Sequence, residues 1–217
     1  MPLEKEPPGR AQSWPTCDED IAAFVQATVE LLATELGDNL VGVYLHGSLA
    51  MGSYFRPKSD LDLLIVSDGP LPAESRRRLA RVLARHMRRR PTVGNLELSV
   101  ITAETARTPQ APVPYELHVS GMWEEPILAD QVDFAVNGTD PDLPAHLTHV
   151  RQRGVCLFGP PIEKAFGDIA WDAFLVAVNE DAAWVLADRN LLQTPFSGAL
   201  NVCRELQLRA QNHHQAH

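Results

Sequence analysis

The 217-residue sequence is poor in cysteine, and its three thiols, Cys17, Cys156 and Cys203, are far apart and in no C-x-x-C pair. That excludes a disulfide framework or a cysteine-built zinc site. Basic charge is also in deficit. Nineteen lysines and arginines stand against 28 aspartates and glutamates, a formal charge of -9, whereas affinity for a polyanion comes from cations that neutralise phosphates. No nucleic-acid partner is expected, and a small cationic ligand fits better. Long apolar runs are missing, and the opening MPLEKEPPGR is charged and proline-rich. Neither a membrane partner nor a secretory leader is expected, which predicts a cytoplasmic protein. Neither G-x-x-x-x-G-K-[ST] nor G-x-G-x-x-G occurs, so two common glycine-rich phosphate cradles are excluded.

What is present suffices for a core, since 45% of the residues are hydrophobic and the length fits one large domain or two small ones. After a start over 1–17 expected to be disordered, Thr16 or Asp18 is placed to cap a helix. Ile21, Phe24, Val25, Thr28, Leu31 and Leu32 recur in it at helical spacing until Gly37. The period then becomes two. Leu40, Gly42, Tyr44 and His46 share one face of a strand and Val41, Val43 and Leu45 the other. Residues 60–66 and 96–101 predict two more strands, with a helix over 73–90 between them. That helix carries Leu79, Val82, Leu83 and Met87 on one side and eight arginines around the rest, which predicts a solvated basic face. Prolines at 109, 112, 114, 126, 141 and 144 predict loops and short elements. Trp171 to Asn190 and Gly198 to Asn212 return to helical spacing. The expected organisation is a mixed α/β domain over 18–160 and a small helical domain over 161–217.

Chemistry concentrates in HGSLAMGSYFRPKSDLDLLIV, where one strand ends in Gly47-Ser48 and the next begins with Asp60 and Asp62. Residues i and i+2 of a strand point to the same face, about 6–7 Å apart, so both carboxylates can serve one metal site. Mg²⁺ takes oxygen ligands, usually one or two carboxylates plus substrate phosphates. Gly47 has no side chain, so backbone amides and the Ser48 hydroxyl can come close to those phosphates. Glu97 is an acid between Leu96 and Leu98, turned to the side of Ser99 and Ile101. It can complete the metal site or take the proton from an attacking hydroxyl.

These residues resemble the signature of the DNA polymerase β-type nucleotidyltransferase superfamily: Gly-Ser, a gap, then Asp-h-Asp-h. More narrowly, the chain is similar to the AadA-like streptomycin/spectinomycin aminoglycoside adenylyltransferases, through Pro57-Lys58-Ser59-Asp60-Leu61-Asp62, Leu96-Glu97-Leu98-Ser99-Val100, Tyr115-Glu116-Leu117 with Gly121-Met122-Trp123, and Phe158-Gly159-Pro160. The resemblance implies an α+β fold, with a polymerase-β-like domain of mixed sheet and helices followed by a small α-helical bundle. It implies Mg²⁺ on Asp60, Asp62 and Glu97, ATP phosphates at Gly47, Ser48 and Ser59, Glu97 as general base, and Trp123 in an acceptor pocket. A core aromatic is the alternative for Trp123. The implied reaction moves AMP from ATP to a hydroxyl of an aminoglycoside or aminocyclitol; a protein hydroxyl as acceptor and a non-catalytic nucleotide binder are the alternatives. Members of that family continue through more helices beyond the position of Arg204, so a shortened helical domain, covered by a possible homodimer, is a further expectation. His213, His214 and His217 read as a polar tail.

Overall fold

The computed structural model describes residues 9–187. In chain order the regular elements are α1 (Glu19–Leu36), β1 (Leu40–His46), α2 (Gly47–Met51), β2 (Leu61–Ser67), α3 (Ala73–Met87), β3 (Leu96–Thr102), α4 (Ala103–Arg107), β4 (Pro114–Tyr115), β5 (Leu117–Val119), α5 (Glu124–Leu128), β6 (Gly138–Thr139), α6 (Leu143–Arg153), β7 (Val155–Phe158), α7 (Ile162–Ala165) and α8 (Trp171–Leu186). The second expected C-terminal helix, Gly198 to Asn212, Arg204 and the histidines of the tail lie outside the described residues.

Five strands form one sheet in the order β5-β3-β2-β1-β7, and β4 pairs with β6 in a separate ribbon. Among the described strands only β2 and β3 run parallel, which requires the crossover that α3 supplies. The other three pairings in the main sheet are antiparallel. Each strand divides its side chains by parity, as the alternation of β1 predicted. Val43, Leu45, Leu61, Leu63, Ile65, Leu96, Leu98 and Val100 join the buried residues of α1 and α3 in one core. Tyr44, Leu64, Val66 and Ile101 join Ala103, Ala106, Leu143, Leu147, Val150 and Phe166 in a second core on the opposite face. Two layers of helices therefore enclose the sheet, and polar residues at its end face the side of the second core.

Three local expectations are corrected. Asp18 occupies the N-cap position of α1, but its side chain makes no cap hydrogen bond; it accepts instead from Gln12 and from Arg56, at 3.0 and 2.6 Å. Within the stretch expected to be disordered, Gln12 bridges to Tyr54 and a 3₁₀ turn spans Trp14–Thr16, while residues 1–8 lie outside the described residues. The basic helix is not simply a solvated face. Arg76 is buried and donates to Asn137 Oδ1, while Arg77 pairs with Asp130, Arg78 with Glu35, and Arg88 and Arg90, just beyond α3, with Glu124. The exposed pairs are each worth little. Arg76 matters more, since with Asn137 and the buried Glu116 it ties the excursion between β5 and α6 to α3.

The expected boundary at 160 falls at a corner where Tyr44 Oη donates to the Pro160 carbonyl at 2.9 Å. Beyond it, Ala165 and Phe166 still pack into the second core. No helix among the described residues is long and apolar enough to cross a membrane. Leu63 is fully buried on the central strand, so Leu63→Ala should cost about 2–5 kcal/mol of stability, read as a lower urea midpoint with an unchanged denaturant slope.

Candidate active site at the end of the sheet

The site is assembled by register. Antiparallel pairing sets His46 of β1 opposite Asp62 of β2, and parallel pairing sets Asp62 opposite Glu97 of β3. Residues in register on neighbouring strands share a face and lie about 4.8 Å apart between strands. Asp62 and Glu97, 35 positions apart in sequence, thus become lateral neighbours. The next row inward is Tyr44, Leu64, Ser99 and His118.

Gly47 is the residue that lets Asp62 turn this way. Its φ is +62°, and a Cβ there would sit 1.8 Å from Asp62 Oδ2. The carboxylate fills the space where any other residue would hold its side chain. The positive φ also turns the chain from β1 directly into α2, whose second residue, Ser48, is partly exposed.

Asp60 lies one residue before β2 rather than on it, so the expectation that both aspartates sit on the strand is corrected by one position. Leu61 N–H already bonds to the Asn95 carbonyl at 2.8 Å, and Asp60 Oδ1 accepts from Asn95 N–H at 2.5 Å. Asp60 thereby leans toward the entry of β3, and Asp62 toward Gly47. The approach is tight because Gly94 meets the Ser59 backbone: a Cβ on Gly94 would come within 1.9 Å of the Ser59 carbonyl oxygen. Ser59 Oγ accepts from Phe55 N–H at 3.0 Å, which spends one lone pair on the loop. Arg56 pins that loop from outside through Asp18, Asp20 and the Pro91 carbonyl.

The electrostatics follow from burial of like charges. Burial pushes the Glu97 carboxyl above its usual range; His118 pulls it back, and the Asp60 and Asp140 carboxylates push it up again. Burial likewise raises Asp60, against the Asn95 N–H and the charge of Arg90. His46, buried with its ring 5.0 Å from that of His146, is held well below its usual value by burial and by the neighbouring charges of His146 and His149. Crowded, partly desolvated carboxylates of this kind are what a hard divalent cation relieves.

Among the described residues no three His, Cys, Asp or Glu side chains are already gathered around one point able to hold a metal. An all-protein cage is therefore absent from this part of the chain. Mg²⁺ does not need one, because it is commonly bound by one or two carboxylates with phosphates and water completing the shell. Oxygen donors on two adjacent strands, beside an open glycine turn, fit that habit.

Trp123 is not a core aromatic. It is 38% exposed, in a 3₁₀ turn over Gly121–Trp123 that follows β5, with Met122 82% exposed beside it. The turn abuts the entry of β3, since Gly121 lies against the Asn95 side chain. His118, Asp140 and Asn95 were not singled out from the sequence. The only signal for His118 was a histidine between Leu117 and Val119, a pattern that also fits any half-buried strand.

A family model described as the nucleotidyltransferase domain matches residues 29–143, just over half of the chain and the span that builds this site. The chain belongs to the nucleotidyltransferase domain family. It is similar to a spectinomycin 9-adenylyltransferase of Staphylococcus aureus, 29% identical over 136 residues that cover 61% of this chain and 51% of the relative. It is also similar to an aminoglycoside (3'') (9) adenylyltransferase of Shigella flexneri, 25% identical over 185 residues, covering 81% of this chain and 70% of the relative. The chain thus spans about half the length of the first of these relatives. Its fold matches a nucleotidyltransferase structure, the spectinomycin adenyltransferase AAD(9) from Enterococcus faecialis solved with ATP and spectinomycin, with a TM-score of 0.73 over 88% of this chain and 77% of that one, at 21% identity.

Two outcomes are expected from this geometry. Gly47→Ala should destabilise by about 1–3 kcal/mol through strain and overlap, and less so in the background of Asp62→Ala, which removes the clashing carboxylate; a double-mutant cycle by thermal unfolding measures the difference. The raised Asp60 and Glu97 hold protons more tightly in the native state than in the unfolded chain. Stability from these protons is fully present below the ordinary carboxylate values and is lost as pH rises through the raised native ones. Asp60→Asn, which retains an acceptor for Asn95 N–H, should therefore raise the Tm at neutral pH without divalent metal, and the gain should shrink as pH falls toward 4.

Proposed function

We propose that the chain transfers AMP from ATP to a hydroxyl of a small, cationic, polyhydroxylated acceptor of the aminocyclitol or aminoglycoside class, spectinomycin or streptomycin being the acceptors to try first. The transfer would protect a cell from such a drug. The observation that carries the proposal is the Asp62–Glu97 register, which sets one carboxylate against the Gly47 turn and a second beside it on the neighbouring strand. Family membership and the names of the relatives support the same chemistry, and the acidic charge of the chain suits attraction of a cationic acceptor.

In this mechanism Asp60 and Asp62 would hold Mg²⁺, with Glu97 as a third acid for the same site. The metal, when bound, supplies charge neutralisation along the triphosphate and makes the attacking hydroxyl more acidic. Gly47 N–H and the Ser48 hydroxyl receive phosphate oxygens at the turn, and Ser59 contributes from the loop that Arg56 pins. Glu97 takes the proton from the acceptor hydroxyl as its oxygen bonds to the α-phosphorus; the bond from that phosphorus to the bridging oxygen breaks, and pyrophosphate leaves. Trp123 lies beyond β5 on the side from which the acceptor enters, offering an apolar face to a sugar or cyclitol ring. Most of the rate comes from placement and fixed charge.

The test is pyrophosphate release from ATP with Mg²⁺ across a panel of aminoglycosides and spectinomycin. At least one compound should be turned over, with the AMP adduct visible by mass; release with none of them sinks the acceptor class. Asp62→Asn should abolish turnover. Glu97→Gln should bind ATP normally and fall about 10²–10⁴-fold in kcat, and undiminished turnover by that variant would remove Glu97 as the base.

A further inference from the structure

Beside Glu97 stands a side chain that the mechanism above leaves unused. His118 of β5 is the register partner of Ser99, which shares the face of Glu97 two residues along β3. Its Nδ1 is 2.9 Å from Ser99 Oγ and 3.9 Å from the Asp140 carboxylate. Both neighbours are fixed. Ser99 is buried within the sheet, and Asp140 Oδ1 accepts from Asp142 N–H at 2.9 Å ahead of α6.

The ring is thus held at one nitrogen only. Nε2 has no hydrogen-bond partner among the described residues, and the side chain is 17% exposed. With Nδ1 turned to Ser99, Nε2 is the nitrogen left to exchange a hydrogen bond with a ligand. Its position is also informative: β5 is separated from β1, with Gly47 and Ser48 at its end, by β3 and β2. The same β5 runs on within four residues into the turn that exposes Met122 and Trp123. His118 therefore belongs to the flank of Glu97 away from the phosphate turn.

We propose that His118 is a specificity-determining residue that exchanges a hydrogen bond at Nε2 with a hydroxyl group of the acceptor. The proposal rests on the reading that a hydroxyl acceptor binds beside Glu97, and it adds a polar contact to the apolar one of Trp123. An acceptor lacking a hydroxyl at that position would be discriminated against, because Nε2 would then be desolvated without compensation.

Calorimetric titration of spectinomycin and streptomycin, with Mg²⁺ and a non-hydrolysable ATP analogue present, compares wild type with His118→Gln and His118→Asn. A glutamine amide reaches the place of Nε2, whereas an asparagine amide replaces Nδ1 and keeps the bond to Ser99. His118→Gln should bind acceptor within about threefold of wild type and His118→Asn about tenfold more weakly, with the ATP analogue bound equally by all three and similar Tm values. The mirror pattern, asparagine tolerated and glutamine not, would show that only the Ser99 bond matters and overturn the proposal. Equal acceptor affinity in all three, or a parallel loss of nucleotide affinity, would do the same. If wild type binds the ATP analogue but neither compound, the acceptor class itself fails and His118 loses its ligand with it.

Discussion

The arrangement depends on a steric allowance at the end of β1. Asp62 sits on the middle strand of the sheet, and its carboxylate occupies the volume a Cβ on residue 47 would need, 1.8 Å from where that atom would be. With glycine there, the backbone can turn at φ +62° into α2 and the carboxylate can stand against the turn. Backbone amides and an acid, the two components the proposed reaction would use, are thereby brought together by a single missing side chain. Asp60 and Glu97 then flank that carboxylate, one through the Asn95 amide and the other through the parallel ladder.

Stability and chemistry pull against each other at this point. Two cores on opposite faces of the sheet bury apolar side chains nearly without interruption, and they tolerate at one end a row of histidine, aspartate and glutamate with little water around it. Burial raises Glu97 and Asp60 and lowers His46, which means that each charged form is disfavoured where it stands. Proteins accept such local cost where function uses it. The surrounding ties compensate: Arg56 fastens the loop before Asp60 to α1, and Arg76, Asn137 and Glu116 fasten the excursion that follows Trp123.

Division of labour across the sheet follows from strand order. The turn after β1 holds Gly47 and Ser48, β2 and β3 carry the carboxylates, and β5 leads to the exposed aromatic turn. In the proposed reaction the nucleotide and the acceptor approach the same row from opposite sides. The basic residues near α3 serve this layout indirectly, since Arg88 and Arg90 bind Glu124, the residue directly after Trp123. Their charge reads as a solvated face in sequence but is largely spent on acids of the same chain.

Local pattern alone determined a good deal. Alternation in β1 assigned its faces, and the Gly-Ser turn, the Asp-Leu-Asp phrase and an acid among leucines picked out Gly47, Asp62 and Glu97 as candidates, because side-chain periodicity and ligand type are properties of a few consecutive residues. Tertiary structure alone decided which of these meet. Register between strands separated by 35 residues made Asp62 and Glu97 neighbours, brought His118 beside Ser99, and carried Asp140 toward both. It buried one arginine of an apparently uniform basic helix and exposed a tryptophan that composition would place in a core. Pairing register and partner choice depend on non-local packing, which no short window of sequence contains.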